Sequence, residues 1–150
     1  MPDHQALIEK FGRALNEASP QLFGELLAED YVEEYPQSGE VIRGRHNMIS
    51  IIENYPGRDG DMSLGRAETL SVKGFDAYRP VAPTFAVVRV EGAGDSGVAT
   101  VRATYPDGSQ WWIVSIYSLK GDRIARMRTF FAPDFPAPEW RAQWVEQPAR

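Results

Sequence analysis

The chain contains no cysteine. That removes disulfides, thiolate metal sites and a thiol nucleophile in one step. His4 and His46 are its only imidazoles, too few for a transition-metal centre, so neither a metal nor a cofactor is expected. Two histidines so placed do not support a Ser-His-Asp set, and His46, after Gly44-Arg45 at a helix start, reads as a surface or capping residue. Positive charge is also in deficit: 16 Lys and Arg against 21 Asp and Glu leave a formal charge of -5. The arginines are scattered and form no basic stripe, which argues against nucleic acid as a partner. No apolar run approaches membrane-spanning length, and the first residues show neither a basic nor an apolar signal region. A soluble, cytoplasmic protein is therefore expected, with no membrane partner. There is no internal repeat and no low-complexity tract.

What is present fits one globular domain over 1–150, with ordinary apolar and charged fractions of 43% and 25%. The most informative stretch is Gln110 to Phe131. Two runs rich in β-branched and aromatic residues flank Gly121-Asp122, the signal for a long hairpin. With that pair as a two-residue turn and the ladder continuing in step, Trp112, Val114, Ile116 and Ser118 share a face with Ala125, Met127, Thr129 and Phe131. Trp111, Ile113, Ser115 and Tyr117 then lie on the other face with Arg126, Arg128 and Phe130. A sheet apolar on both faces must be covered on both. One cover can come from the chain's own helices. The other is expected to be a second copy, docked on Trp111, Ile113, Tyr117, Arg126 and Arg128, because those apolar residues would otherwise be exposed.

The rest of the chain supplies the helices first and the strands second. Asp3 can cap a helix carrying Leu7, Phe11, Ala14 and Leu15 on one face. Ser19-Pro20 is a strong start signal for a second, with Leu22, Phe23, Leu26 and Leu27 apolar. Tyr31 to Tyr35 reads as a short strand stopped by Pro36. A third helix begins near Arg45 and ends at Pro56-Gly57. Beyond the loop from Gly57 to Gly60, strands are predicted at about 66–72, 84–91 and 97–105, joined by Gly- and Pro-rich turns. An arm from Phe131 leads to a short helix with Pro138 at its first position and Trp140 and Trp144 on one side. The fold class is α+β: three N-terminal helices packed on one face of a strongly curved, mainly antiparallel sheet.

The order of elements resembles the nuclear transport factor 2-like (cystatin-like) superfamily, and most closely its SnoaL-like branch. The residues carrying the likeness are Tyr35-Pro36-Gln37-Ser38-Gly39-Glu40 with Ile42-Arg43-Gly44, then Gly121-Asp122-Arg123-Ile124 and Phe130-Phe131-Ala132. Ala137-Pro138-Glu139-Trp140-Arg141-Ala142 completes it. The resemblance implies a cone-shaped half-barrel closing over a pocket, and frequently a homodimer through the outer sheet face. Its members include isomerases, polyketide cyclases, epoxide hydrolases, dehydratases and binding modules, so fold alone licenses no reaction.

Catalytic residues do not carry over cleanly. Where ketosteroid isomerases place a general-base Asp this chain has Tyr35, and where they place an oxyanion-stabilising Tyr it has Phe11. The Asp-Arg-Asp set of the epoxide hydrolases lacks its two inward Asp residues. Arg102 faces outward if Asp107-Gly108 is a two-residue turn, the register that apolar alternation favours. It turns inward if Gly108 is a bulge residue and Tyr105 pairs with Ser109. The remaining acid-base candidates are Glu33, Glu34 and Asp134, of which Glu33 shares strand parity with Tyr31 and Tyr35. A carboxyl buried among Trp112, Met127 and Phe131 would have a raised pKa, whereas adjacent glutamates are more often solvated edge charges. The leading expectation is a pocket for a small, largely apolar molecule lined by Phe11, Tyr31, Tyr35, Trp112, Ile116, Met127, Thr129 and Phe131. The rival is a cyclase, isomerase or dehydratase using Glu33 or Asp134, and a third is a dimerisation module without a ligand.

Overall fold

In the computed structural model residues 2–55 and 84–148 are described. The predicted strand at 66–72, the loop at 57–60 and the Pro56-Gly57 helix stop lie outside them. Helix α1 spans His4–Glu17, and the Asp3 carboxylate accepts from the amide of Ala6, as an N-cap does. Helix α2, Pro20–Leu26, starts with Ser19 accepting from the Leu22 amide and Pro20 in the first turn. It runs straight into β1, Leu27–Tyr35. Arg45 and Arg123 both donate to the carbonyls of Gly24 and Leu27 at that junction, placing cations on the negative end of the helix. Strand β2, Glu40–Arg43, and helix α3, Arg45–Glu53, follow. After them come β3, Thr84–Ala93, β4, Ser96–Thr104, β5, Gln110–Lys120, and β6, Arg123–Pro133.

The strands form one curved, unclosed sheet in the order β2-β1-β6-β5-β4-β3, with β1 and β6 parallel and every other pair antiparallel. Thus the α+β expectation, with helices on one side of a mainly antiparallel sheet, matches the architecture. Helix α1 lies across β3, approaching closely at Gly12, where an added Cβ would sit 3.2 Å from a Val87 methyl. Helix α3 packs on β1 and against α2. Isolated helices this short are marginal, so their stability comes from the apolar face they bury, chiefly Ile8, Phe11, Phe23, Met48 and Ile52. Among the described residues no helix is long and apolar enough to cross a membrane.

The predicted hairpin turn is present, but its ladder is not in step. Gly121 has φ 65°, the conformation of the first central residue of a type II′ turn. Lys120 pairs with Arg123 and Leu119 with Ile124, as the turn requires. Ala125 is then skipped, so that Ser118 pairs with Arg126 and Tyr117 with Met127. This β-bulge adds one residue to β6 and exchanges the faces of β5 relative to it. Hence the odd residues of β5, from Trp111 to Leu119, face the helices together with Met127 and Thr129.

The turn between β4 and β5 agrees with that arrangement. Gly108 has φ 84° and donates to the Tyr105 carbonyl, while the Tyr105 amide donates to Ser109. This is the bulge-type register, yet Arg102 faces outward, because its cross-strand neighbour Trp112 is itself outside. Among the described residues the apolar interior therefore forms two clusters. One gathers the helices onto β1 and β6, and the other joins Val101, Ala103, Tyr105, Trp111 and Ile113.

Candidate functional site

Between these clusters lies a cavity of about 810 Å³. Helix α1 supplies Ile8 and Phe11, α3 supplies Met48 and Ile52, and the floor is the inner face of β4, β5 and β6. On that floor the inward Ala99 is small and leaves room above the sheet. Tyr35 and Phe131 meet edge-to-face, with ring centroids 5.1 Å apart, at one end of the lining. Most of the wall is aliphatic or aromatic, the character of a pocket for an apolar molecule.

One buried carboxyl group interrupts it; the other acid of the lining, Glu40, is exposed. Glu33 lies on β1 between Tyr31 and Tyr35, and strand alternation turns all three toward the helices. It is only 3% exposed. Tyr31 donates to Oε1 at 2.9 Å and Thr129 donates to Oε2 at 2.6 Å. Thr129 in turn lies 2.9 Å from the Ser115 hydroxyl on β5. Burial raises the Glu33 pKa to about 7, although the hydrogen bonds from Thr129 and Tyr31 pull the other way by favouring the ionised form. The same burial, with Glu33 beside it, pushes the Tyr31 phenol well up, so Tyr31 serves as a neutral donor. A carboxyl titrating near neutrality in an apolar cavity is able to take or give a proton at physiological pH.

Residues 8–127 match the SnoaL-like domain family. The chain belongs to that family. Its helices and curved sheet are those of the nuclear transport factor 2-like structures. A protein of unknown function from Burkholderia xenovorans, described as NTF-2 like, is 23% identical, with a TM-score of 0.70 over 97% of this chain and 94% of that one. A Kribbella flavida protein provisionally named a ketosteroid isomerase is 24% identical, with a TM-score of 0.72 over 97% and 89%. An LEH-like epoxide hydrolase from M. tuberculosis is 18% identical, with a TM-score of 0.57 over 84% and 80%. No curated protein matches the chain. At these identities the structural neighbours share a fold, and their different activities leave this member's chemistry to its own residues.

In this SnoaL-like chain, Phe11, Glu33, Tyr35, Met127, Thr129 and Phe131 are among the residues that line the cavity. Tyr31 is fully buried behind Glu33. Trp112 and Ile116 do not line it. They lie on the opposite face, 39% and 49% exposed, because the bulge at Ala125 reverses the parity assumed for β5. Trp111, Ile113 and Tyr117, assigned to an outer dimer face, are buried inside for the same reason, and Trp111 and Ile113 line the cavity. Arg126 and Arg128 do lie outside, Arg128 paired with Glu34.

Asp134 is likewise away from the cavity: Arg102 grips its carboxylate with both guanidinium nitrogens while stacking 4.3 Å over the Trp112 ring. Ser115 was missed as a pocket residue. The signal that locates it is Pro106-Asp107-Gly108, whose bulge-type turn sets Ser115 opposite the inward Ala99. Among the described residues, no group of three or more His, Cys, Asp or Glu side chains could hold a metal ion.

Proposed function

We propose that this SnoaL-like protein binds a small, largely apolar molecule in the cavity and exchanges a proton with it through Glu33. The observation that carries the reading is a buried carboxyl, held by two hydroxyl donors, in the wall of a largely apolar cavity of about 810 Å³, where burial raises its pKa to about 7. Burying a carboxyl costs stability unless it is compensated, and an apolar residue at that place would serve a mere container better. Acid-base work on an apolar substrate, as an isomerase, cyclase or dehydratase performs it, is the use that fits.

The test is a panel of apolar ketones and enols, with binding read by quenching of Trp111, which lines the cavity, and turnover read by exchange of substrate hydrogen for deuterium. Glu33→Gln is expected to keep binding and to lower exchange at least 100-fold. Binding with no exchange in either protein would leave a ligand carrier and remove the enzyme; absence of any binding would remove both.

A homodimer through the outer sheet face remains part of the proposal, with a corrected set of residues. Trp112, Ile116, Val98 and Phe130 are exposed there, beside Arg126 and Arg128. Sedimentation of Ile116→Asp against the unmodified protein is the check, with a shift from dimer to monomer expected.

A further inference from the structure

The three buried polar residues of the described chain are Glu33, Ser115 and Thr129, and they form one line. Both oxygens of Glu33 already have donors, Tyr31 on Oε1 and Thr129 on Oε2. Ser115, at the far end, has Thr129 as its hydrogen-bond partner and lines the cavity. The geometry points to Ser115 as the group that exchanges a hydrogen bond and a proton with the bound molecule, with Thr129 carrying that proton between Ser115 and Glu33. This rests on the reading of the cavity as a proton-transfer site and names the residue that meets the ligand.

Counting protons along this line fixes its states. A hydroxyl has one hydrogen, so a chain of two hydroxyls ending on a carboxyl has two consistent polarities. With Glu33 ionised, Thr129 must donate to it, Ser115 must donate to Thr129, and Ser115 presents only lone pairs to the cavity. With Glu33 protonated on Oε2, it donates to Thr129, Thr129 donates to Ser115, and the Ser115 hydrogen points to the cavity. The protonation state of the carboxyl is thus expressed as a donor or an acceptor at Ser115, two residues away.

Proton transfer uses the same reversal. An acidic C–H or O–H bond of the ligand breaks as a new O–H bond forms on Ser115. The original Ser115 proton passes to Thr129, and the Thr129 proton passes to Glu33 Oε2. The electron pair stays on the ligand, Glu33 becomes neutral, and no electron is transferred. The reverse sequence returns the proton elsewhere on the same molecule.

Among the described residues, few other groups bear on the titration. On β1 the titratable neighbours are Tyr31 and Tyr35, and on β2 the cavity wall includes Glu40. Tyr55 follows α3 and Tyr105 follows β4. From α1, α3 and β6 the cavity meets Ile8, Phe11, Met48, Ile52, Met127 and Thr129, none of which titrates. Tyr117, on β5, is turned to His4 of α1, whose Nδ1 lies 2.8 Å from its hydroxyl.

The experiment uses the full chain and two probes: a naphthyl ketone dye whose emission moves to the red when its carbonyl accepts a hydrogen bond, and an alkylnaphthalene with no acceptor. Alkylnaphthalene binding measures whether the pocket is intact. As pH falls from about 8 to about 6, the dye is expected to shift to the red and to bind roughly 3- to 10-fold more tightly, one hydrogen bond's worth, while the hydrocarbon does not change. Thr129→Val and Ser115→Ala should each abolish that pH dependence, and Thr129→Ser should restore it. If Ser115→Ala keeps the shift, or Thr129→Val only moves it to higher pH, Glu33 meets the ligand directly and the relay is overturned. A dye that binds without any pH dependence also overturns the relay but leaves the pocket. If neither probe binds, the pocket reading fails and the relay with it.

Discussion

The two faces of strand β5 differ less in sequence than in fate. Trp111, Ile113 and Ser115 face in, Trp112, Val114 and Ile116 face out, and each set reads as an apolar surface with some interruption. Inside, the strand meets helices and a cavity, and its Ser115 hydroxyl is part of a buried line to Glu33. Outside, Trp112 lies under Arg102, and the charges around it form exposed pairs such as Arg128 with Glu34. Hydrophobicity alone does not orient a strand whose neighbours are apolar on both sides. The geometry of the turns and bulges at its ends does.

Adjacent tryptophans test the assignment of the two faces most directly. Trp111→Ala should cost about 3 kcal/mol or more, since the ring is buried, whereas Trp112→Ala should cost less than about 1 kcal/mol, chiefly its contact with Arg102. Urea unfolding at a concentration low enough to dissociate any dimer reads both, and equal costs would contradict the assignment of faces. An effect of similar size is expected from Glu33, but only as a function of pH. Its folded pKa is raised from 4.5 to about 7, so the native state holds a proton that the unfolded chain has released. Its contribution is fully present below about pH 4.5 and is lost as pH rises to about 7, a fall of roughly 3 kcal/mol. The difference between the unmodified protein and Glu33→Gln, followed by thermal unfolding across that range, should show this slope; a flat difference would mean that the carboxyl is not buried.

Gly97→Ala tests the inner face of β4 by addition. A Cβ there would run into the Tyr117 hydroxyl, so a loss of about 1–3 kcal/mol is expected, with displacement of Tyr117 from His4 visible by NMR. The smallest effect belongs to the outer face: Asp134→Asn, which weakens the partly exposed pair with Arg102, should cost no more than about 1 kcal/mol. A larger loss there would show that the arm beginning at Asp134 is held far more firmly than its exposed Trp140 and Trp144 suggest.

Much of the fold was legible because its signals are local. Asp3 and Ser19-Pro20 begin helices where capping chemistry says they should, and Gly121 makes the turn its missing Cβ permits. Of the site, Glu33 was legible from its alternation with Tyr31 and Tyr35, and Met127, Thr129 and Phe131 from their alternation with Arg126 and Arg128. Trp111, Ile113 and Ser115 were not, because pairing β5 in step with β6 ignored the residue skipped at Ala125. The other turn carried a contrary signal in Pro106-Asp107-Gly108, where Gly108 takes the positive φ of a bulge-type loop.

By itself, then, the sequence determined the kinds of elements, their order and the parity of β1 and β6, since caps, turns and alternation act over a few residues. Only the tertiary structure decided which face of β5 looks at the helices. A bulge costs little locally, and its position is selected by how the whole sheet packs. The same packing set the state of Glu33: burial raises the pKa of one of two adjacent glutamates to about 7, against the pull of two hydroxyl donors from a neighbouring strand and from its own.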